Sequence, residues 1–135
     1  MSMHYTKTFK QIDKKSVDEA GGKGASLGEM VKAGIPVPPG FVVVADAFDK
    51  FLDEVGIRAS IQAELDKVDY EDVNSVDKAS NVIRDIIHDT EMPSDLAQEI
   101  ATTHGKMDAK YVAVRSSATA EDSSIASWAG ELETY

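Results

Sequence analysis

At 135 residues the chain has room for one domain around one modest core. Hydrophobic residues make up 42% of it and charged residues 28%, which excludes wholesale disorder, and a net charge of -10 disfavours DNA, RNA and anionic membrane surfaces as partners. With no cysteine in the chain, disulfides, thiolate nucleophiles and cysteine-held zinc are excluded as well.

A polar opening carrying Phe9 and Ile12 runs to Ala20, with no apolar stretch fit for a signal peptide and no later run of transmembrane length, so a cytoplasmic location is expected. Gly21-Gly22-Lys23-Gly24 then breaks the chain. From Ala25 the spacing of Leu27, Met30 and Val31 predicts a short helix with Gly34 as its stop. The prolines of Ile35-Pro36-Val37-Pro38-Pro39-Gly40 forbid helix and lead into a buried strand at Phe41-Val42-Val43-Val44. Asp46 suits the N-cap of a helix with Phe48, Phe51, Leu52 and Val55 on its core face, closed by Gly56.

Ile57, Ile61, Leu65 and Val68 continue at helical spacing, and a polar loop follows from Asp69 to Ser75. Val76, Ala79, Val82, Ile83, Ile86 and Ile87 mark the most strongly periodic helix, and Pro93 opens another bearing Leu96, Ala97 and Ile100. Tyr111-Val112-Ala113-Val114 reads as a second apolar strand that runs straight into Arg115. Trp128 to Tyr135 reads as the start of a further strand, whose unpaired edge invites a homodimer or a partner chain. The whole is an α/β arrangement, a small sheet with flanking helices.

Two segments have the makings of a phosphate site. Gly21-Gly22-Lys23-Gly24 stands directly ahead of a helix, where unpaired amides and the helix dipole favour anions, glycine lets a ligand approach, and Lys23 adds a full charge. It is neither a Walker A loop nor a Rossmann fingerprint, and a plain glycine turn with an exposed lysine remains the alternative. Arg115-Ser116-Ser117-Ala118-Thr119 follows an apolar strand, the end at which α/β proteins place ligands, and Arg115 offers a donor fork suited to phosphate. The competing reading there is a Ser/Ala loop whose arginine pairs with Glu121 or Asp122. His4, His88 and His104 are scattered without a second ligand at metal spacing, and no metal site is expected within the chain.

Three stretches, Gly21 to Met30, Gly34 to Phe41 and Val112 to Asp122 with Ala129-Gly130, together resemble the amino-terminal part of phosphoenolpyruvate synthases. Pyruvate phosphate dikinases and rifampicin phosphotransferases share that architecture, and the resemblance implies a partial ATP-grasp-like domain over residues 1–135. By the same resemblance Lys23 and Arg115 are the cationic contacts to the phosphates of ATP, and Ser117 to Thr119 belong to a small-residue loop over them. The carboxylates that hold Mg2+, the phosphohistidine domain and the pyruvate-binding barrel are expected in other parts of the enzyme, so the chain is expected to be inactive alone. The family reaction converts ATP, pyruvate and water to AMP, phosphoenolpyruvate and phosphate through a histidine. A non-catalytic nucleotide-sensing or protein-interaction module is the alternative, as is the front of a related dikinase or antibiotic phosphotransferase. Ser123-Ser124-Ile125 in place of a Leu-Pro pair, and Trp128 in place of Phe, depart from the synthase pattern.

Overall fold

The computed structural model describes residues 4–119. The expectations placed on Glu121, Asp122, Trp128 and the strand start before Tyr135 lie outside them. In chain order the elements are β1 (Thr6–Thr8), a 3-10 turn (Phe9–Gln11), α1 (Val17–Lys32), β2 (Phe41–Val43), α2 (Ala45–Glu54), α3 (Arg58–Asp66), α4 (Val73–Asp89) and α5 (Ser94–Gly105). The chain forms two compact units. One takes in the chain up to Ala47 and again from Asp95, and the other is Phe48–Ser94.

In the first unit β1 and β2 pair antiparallel, with Thr6 opposite Val43, Lys7 opposite Val42 and Thr8 opposite Phe41. The sheet is therefore closed by a strand, β1, that looked like a polar opening. Its side chains Thr6, Lys7 and Thr8 carry no apolar signal. β1 is held instead by polar ties: Glu99 of α5 accepts from the amides of Tyr5 at 2.7 Å and Thr6 at 3.1 Å and from the Thr6 hydroxyl at 3.1 Å. Lys7 reaches both carboxylate oxygens of Glu19 on α1 at 2.7 Å.

α1 packs on the 3-10 turn and on β2. The turn that feeds it is fixed at Asp13, whose amide donates to the Ser16 hydroxyl at 3.2 Å and whose carbonyl accepts from the Ser16 amide at 2.9 Å. The Asp13 carboxylate accepts from the Lys15 amide at 2.8 Å, and this bond, helped by the Lys32 ammonium, holds its pKa below the usual carboxylate value. At the far end of α1, the Gly34 amide donates to the Val31 carbonyl and the Ile35 amide to the Met30 carbonyl, both at 3.0 Å. Gly34 has φ 79, so this is the Schellman closure that the sequence implied. The core of the unit is built from small and medium residues, with Ile12, Ala20, Ala25, Val44, Ala47 and Leu96 all buried.

The second unit pairs α3 with α4. Asp72 caps α4 by accepting from the Asn74 amide at 3.0 Å, and Ala79 is the buried residue of that helix.

Five expectations are corrected. Asp46, expected as an N-cap, lies inside α2, which begins at Ala45. β2, expected to be buried, is half-buried at Phe41 and Val42 and 43% exposed at Val43. α1 starts at Val17 rather than Ala25, and the break is confined to Gly21, whose φ 72 and ψ 172 are the only non-helical values inside it. Phe48, assigned to the core, is 51% exposed beside Phe51, with the two rings stacked at 6.3 Å. Tyr111 to Val114 form no strand. Tyr111 is 84% and Val114 61% exposed, and a ladder contact is recorded there only at Arg115. An apolar run becomes a strand only with a neighbour to pair with, and among the described residues the partner of β2 is β1.

Candidate phosphate-binding site

The site is built on the kink in α1. The backbone at Gly21 takes up φ 72 and ψ 172, a combination that residues with a Cβ essentially do not adopt. The kink turns Gly22 into the start of a fresh helical stretch, so the amides of Gly22 and Gly24 find no partner one turn earlier on the regular pattern. Both are satisfied from the far end of the chain. The Gly22 amide donates to the Ala118 carbonyl at 3.2 Å. The Gly24 amide donates to the Ser117 hydroxyl at 2.9 Å, across 93 residues of sequence. The same hydroxyl donates to the Ala20 carbonyl at 2.6 Å. Ser117 thus bridges both sides of the kink, taking up one orphan carbonyl and one orphan amide.

The glycines follow from this packing. A Cβ on Gly21 would lie 1.9 Å from the Ser117 carbonyl oxygen, and one on Gly24 would lie 3.0 Å from a methyl of Val42 on β2. The close approach that glycine permits here is therefore chain against chain. Gly21, Gly22 and Gly24 are all buried.

The four residues assigned to phosphate contact sort as follows. Lys23 lies half-buried in the first turn after the kink, and Ser117 is half-buried with its hydroxyl bonded to the Gly24 amide. Arg115 is exposed, two residues ahead of Ser117 on the segment that docks. Thr119 is exposed and joins Gly22, Ser26, Lys14 and the apolar side chains of Val17 and Met30 in lining a cavity of about 550 Å³. The structure therefore brings the glycine segment and the Arg115–Thr119 segment into direct contact. The sequence reading missed the part played by the carbonyls of Ala20 and Ala118. Backbone acceptors carry no sequence signal, although the adjacent glycines Gly21 and Gly22 were a hint that something approaches closely.

Among the described residues no cluster of three or more His, Asp or Glu side chains is placed to hold a metal ion. No helix there is long and apolar enough to cross a membrane.

By sequence the chain matches an AMP/ATP-binding class of domain. Residues 17–135 match the family described as pyruvate phosphate dikinase, AMP/ATP-binding domain, and the chain belongs to that family. Phosphoenolpyruvate synthases are among the proteins the chain is similar to. It is 46% identical to the probable phosphoenolpyruvate synthase of Methanocaldococcus jannaschii over 99% of this chain and 12% of that protein. It is 43% identical to the probable synthase of Methanothermobacter thermautotrophicus over 97% of this chain and 20% of that protein. It is also 43% identical to the phosphoenolpyruvate synthase of Escherichia coli over 94% of this chain and 17% of that protein. The chain thus spans a fifth or less of the length of these relatives.

Proposed function

We propose that this chain is the ATP-binding N-terminal portion of a phosphoenolpyruvate synthase, with an ATP-grasp-like fold completed by other parts of the enzyme. The reading is supported most by the meeting of the two segments: Ser117 and Ala118 dock on the Gly22–Gly24 amides. That docking ties Arg115 and Lys23 to one local framework. In this reading the Lys23 ammonium acts as a compact charge on a phosphate oxygen, and the Arg115 guanidinium offers a planar fork of donors to a second. Thr119 lines the neighbouring cavity with Gly22, and in this reading Ser117 completes the small-residue loop.

Carboxylates elsewhere in the enzyme would hold Mg2+, which would supply positive charge to offset that of the phosphates. The residues here contribute binding and orientation, which is most of what phosphoryl transfer asks of a protein. The complete enzyme would convert ATP, pyruvate and water to AMP, phosphoenolpyruvate and phosphate through a phosphohistidine. Its remaining domains, or a partner chain, would supply the acceptor site.

Calorimetric titration of the chain with Mg-ATP tests the site. Lys23→Ala and Arg115→Ala are each expected to weaken binding by roughly tenfold to a hundredfold, the loss of one charge-assisted hydrogen bond worth about 1.5–3 kcal/mol. Wild-type affinity in either variant would remove that residue from the site. The isolated chain is expected to bind nucleotide without turning it over. Pyruvate-dependent AMP formation by the chain alone, read in a coupled assay, would contradict the division of labour proposed here.

A further inference from the structure

We infer that Ser117 is a positioning residue: it locks the Arg115-bearing segment onto the kink of α1 and makes no phosphate contact of its own. The inference rests on the phosphate-site reading above and assigns one of its four residues a different task. A serine hydroxyl has one hydrogen to donate and two lone pairs to accept with. The Ser117 hydrogen is given to the Ala20 carbonyl at 2.6 Å, and one lone pair takes the Gly24 amide at 2.9 Å. An ionised phosphate oxygen is only an acceptor. Ser117 therefore cannot donate to phosphate while it holds Ala20, and its remaining lone pair would face the phosphate as a like partial charge.

The surroundings are built for the bridge. Gly21 carries no Cβ where one would overlap the Ser117 carbonyl oxygen at 1.9 Å, and the neighbouring Ala118 carbonyl takes the Gly22 amide at 3.2 Å. Three bonds thus join residues 117–118 to both sides of the kink. The segment carrying Arg115 and the turn carrying Lys23 are set against each other through them, so the hydroxyl acts on the ligand through two cations it does not touch. The glycine-rich turn accordingly serves as a socket for the chain's own segment, and its Gly22 and Gly24 amides are spoken for before any anion arrives.

Amide hydrogen exchange and Mg-ATP titration on the 135-residue chain test this together. In the wild type the Gly24 amide is expected to stay protected when Mg-ATP binds. Ser117→Ala is expected to speed exchange at Gly24 by roughly tenfold or more, while Val44, bonded to the Tyr5 carbonyl, keeps its rate as the reference amide. The same variant should lose about tenfold in Mg-ATP affinity, and Ser117→Thr, which keeps a hydroxyl, should restore both properties.

Loss of Gly24 protection on Mg-ATP binding would overturn the inference, because the hydroxyl would then have turned to the ligand. So would Ser117→Ala with unchanged Gly24 exchange, or with altered exchange and unchanged affinity. If Ser117→Ala unfolds the chain, seen as faster exchange at Val44, failure of Ser117→Thr to keep both properties overturns it instead. A wild-type chain that does not bind Mg-ATP is a separate failure: it removes the phosphate-site reading and the role assigned to Ser117 with it.

Discussion

Gly21→Ala is expected to destabilise the chain by about 3–5 kcal/mol and to abolish measurable Mg-ATP binding. Two costs add. The φ 72, ψ 172 conformation lies in a region that only glycine enters freely, and forcing a Cβ into it costs about 1–3 kcal/mol. The new methyl would also meet the Ser117 carbonyl oxygen at 1.9 Å, with Ser117 Oγ at 2.5 Å. These are not flexible side-chain ends that can swing away, since the nearest atom is backbone. Residues 117–118 would have to lift off, surrendering the Gly22–Ala118, Gly24–Ser117 and Ser117–Ala20 bonds. Each is worth about 0.5–1.5 kcal/mol net. Against a total stability of about 5–15 kcal/mol for a typical domain, this is a large fraction. Urea denaturation reads the first effect and calorimetry the second. A Gly21→Ala chain with the wild-type midpoint would mean that the kink is not held by the docked segment.

Gly28→Ala carries the second-largest expected effect on stability, and here two terms of opposite sign compete. In a helix interior alanine is better than glycine by about 1 kcal/mol, which by itself would stabilise α1. Gly28 is buried, however, and a Cβ there would lie 2.2 Å from the Ile12 carbonyl oxygen and 2.9 Å from the Ile12 Cβ. Ile12 is itself only 3% exposed and cannot retreat into solvent. Overpacking of this kind costs about 1–3 kcal/mol, and because a backbone carbonyl must move the upper half of that range applies. The net expectation is a loss of about 1–2 kcal/mol, with the contact between α1 and the 3-10 turn opened. Gly105→Ala is the control, since nothing lies within 4 Å of a Cβ at that position. It should leave the urea midpoint unchanged within about 0.5 kcal/mol. A Gly28 variant that behaves like the Gly105 variant would show that α1 and Ile12 are less tightly opposed than the structure has them.

Both positions lie in the stretch that the sequence marked as special, yet the reason differs from the one it suggested. Glycines next to a lysine suggest a loop that a ligand can approach. In the fold they are the points where α1 is approached by the chain itself: by Ser117 at Gly21, by Val42 at Gly24 and by Ile12 at Gly28. Local spacing cannot distinguish a ligand from a distant segment as the visitor. The two leave the same mark, an absent side chain.

Elements with a local cause were legible. The end of α1 at Gly34, the extended Pro-rich entry to β2, and the helices α2 to α5 follow from glycine and proline punctuation and from apolar periodicity, which act within a few residues. The positive charges of Lys23 and Arg115 were also legible, because charge is written in the residues themselves. Other features needed the tertiary structure. β1 is made of Thr6, Lys7 and Thr8 and exists because β2 and Glu99 satisfy its backbone. Tyr111 to Val114 have the composition of a strand and lack the pairing of one among the described residues. The helical turn before Gly21 survives because Ser117 and Ala118 replace the bonds that the kink removes. The sequence alone determined where the chain bends and which residues bring charge. Which segments meet was decided only in the tertiary structure, because a hydrogen bond across 93 residues depends on backbone groups that every residue carries and no residue announces.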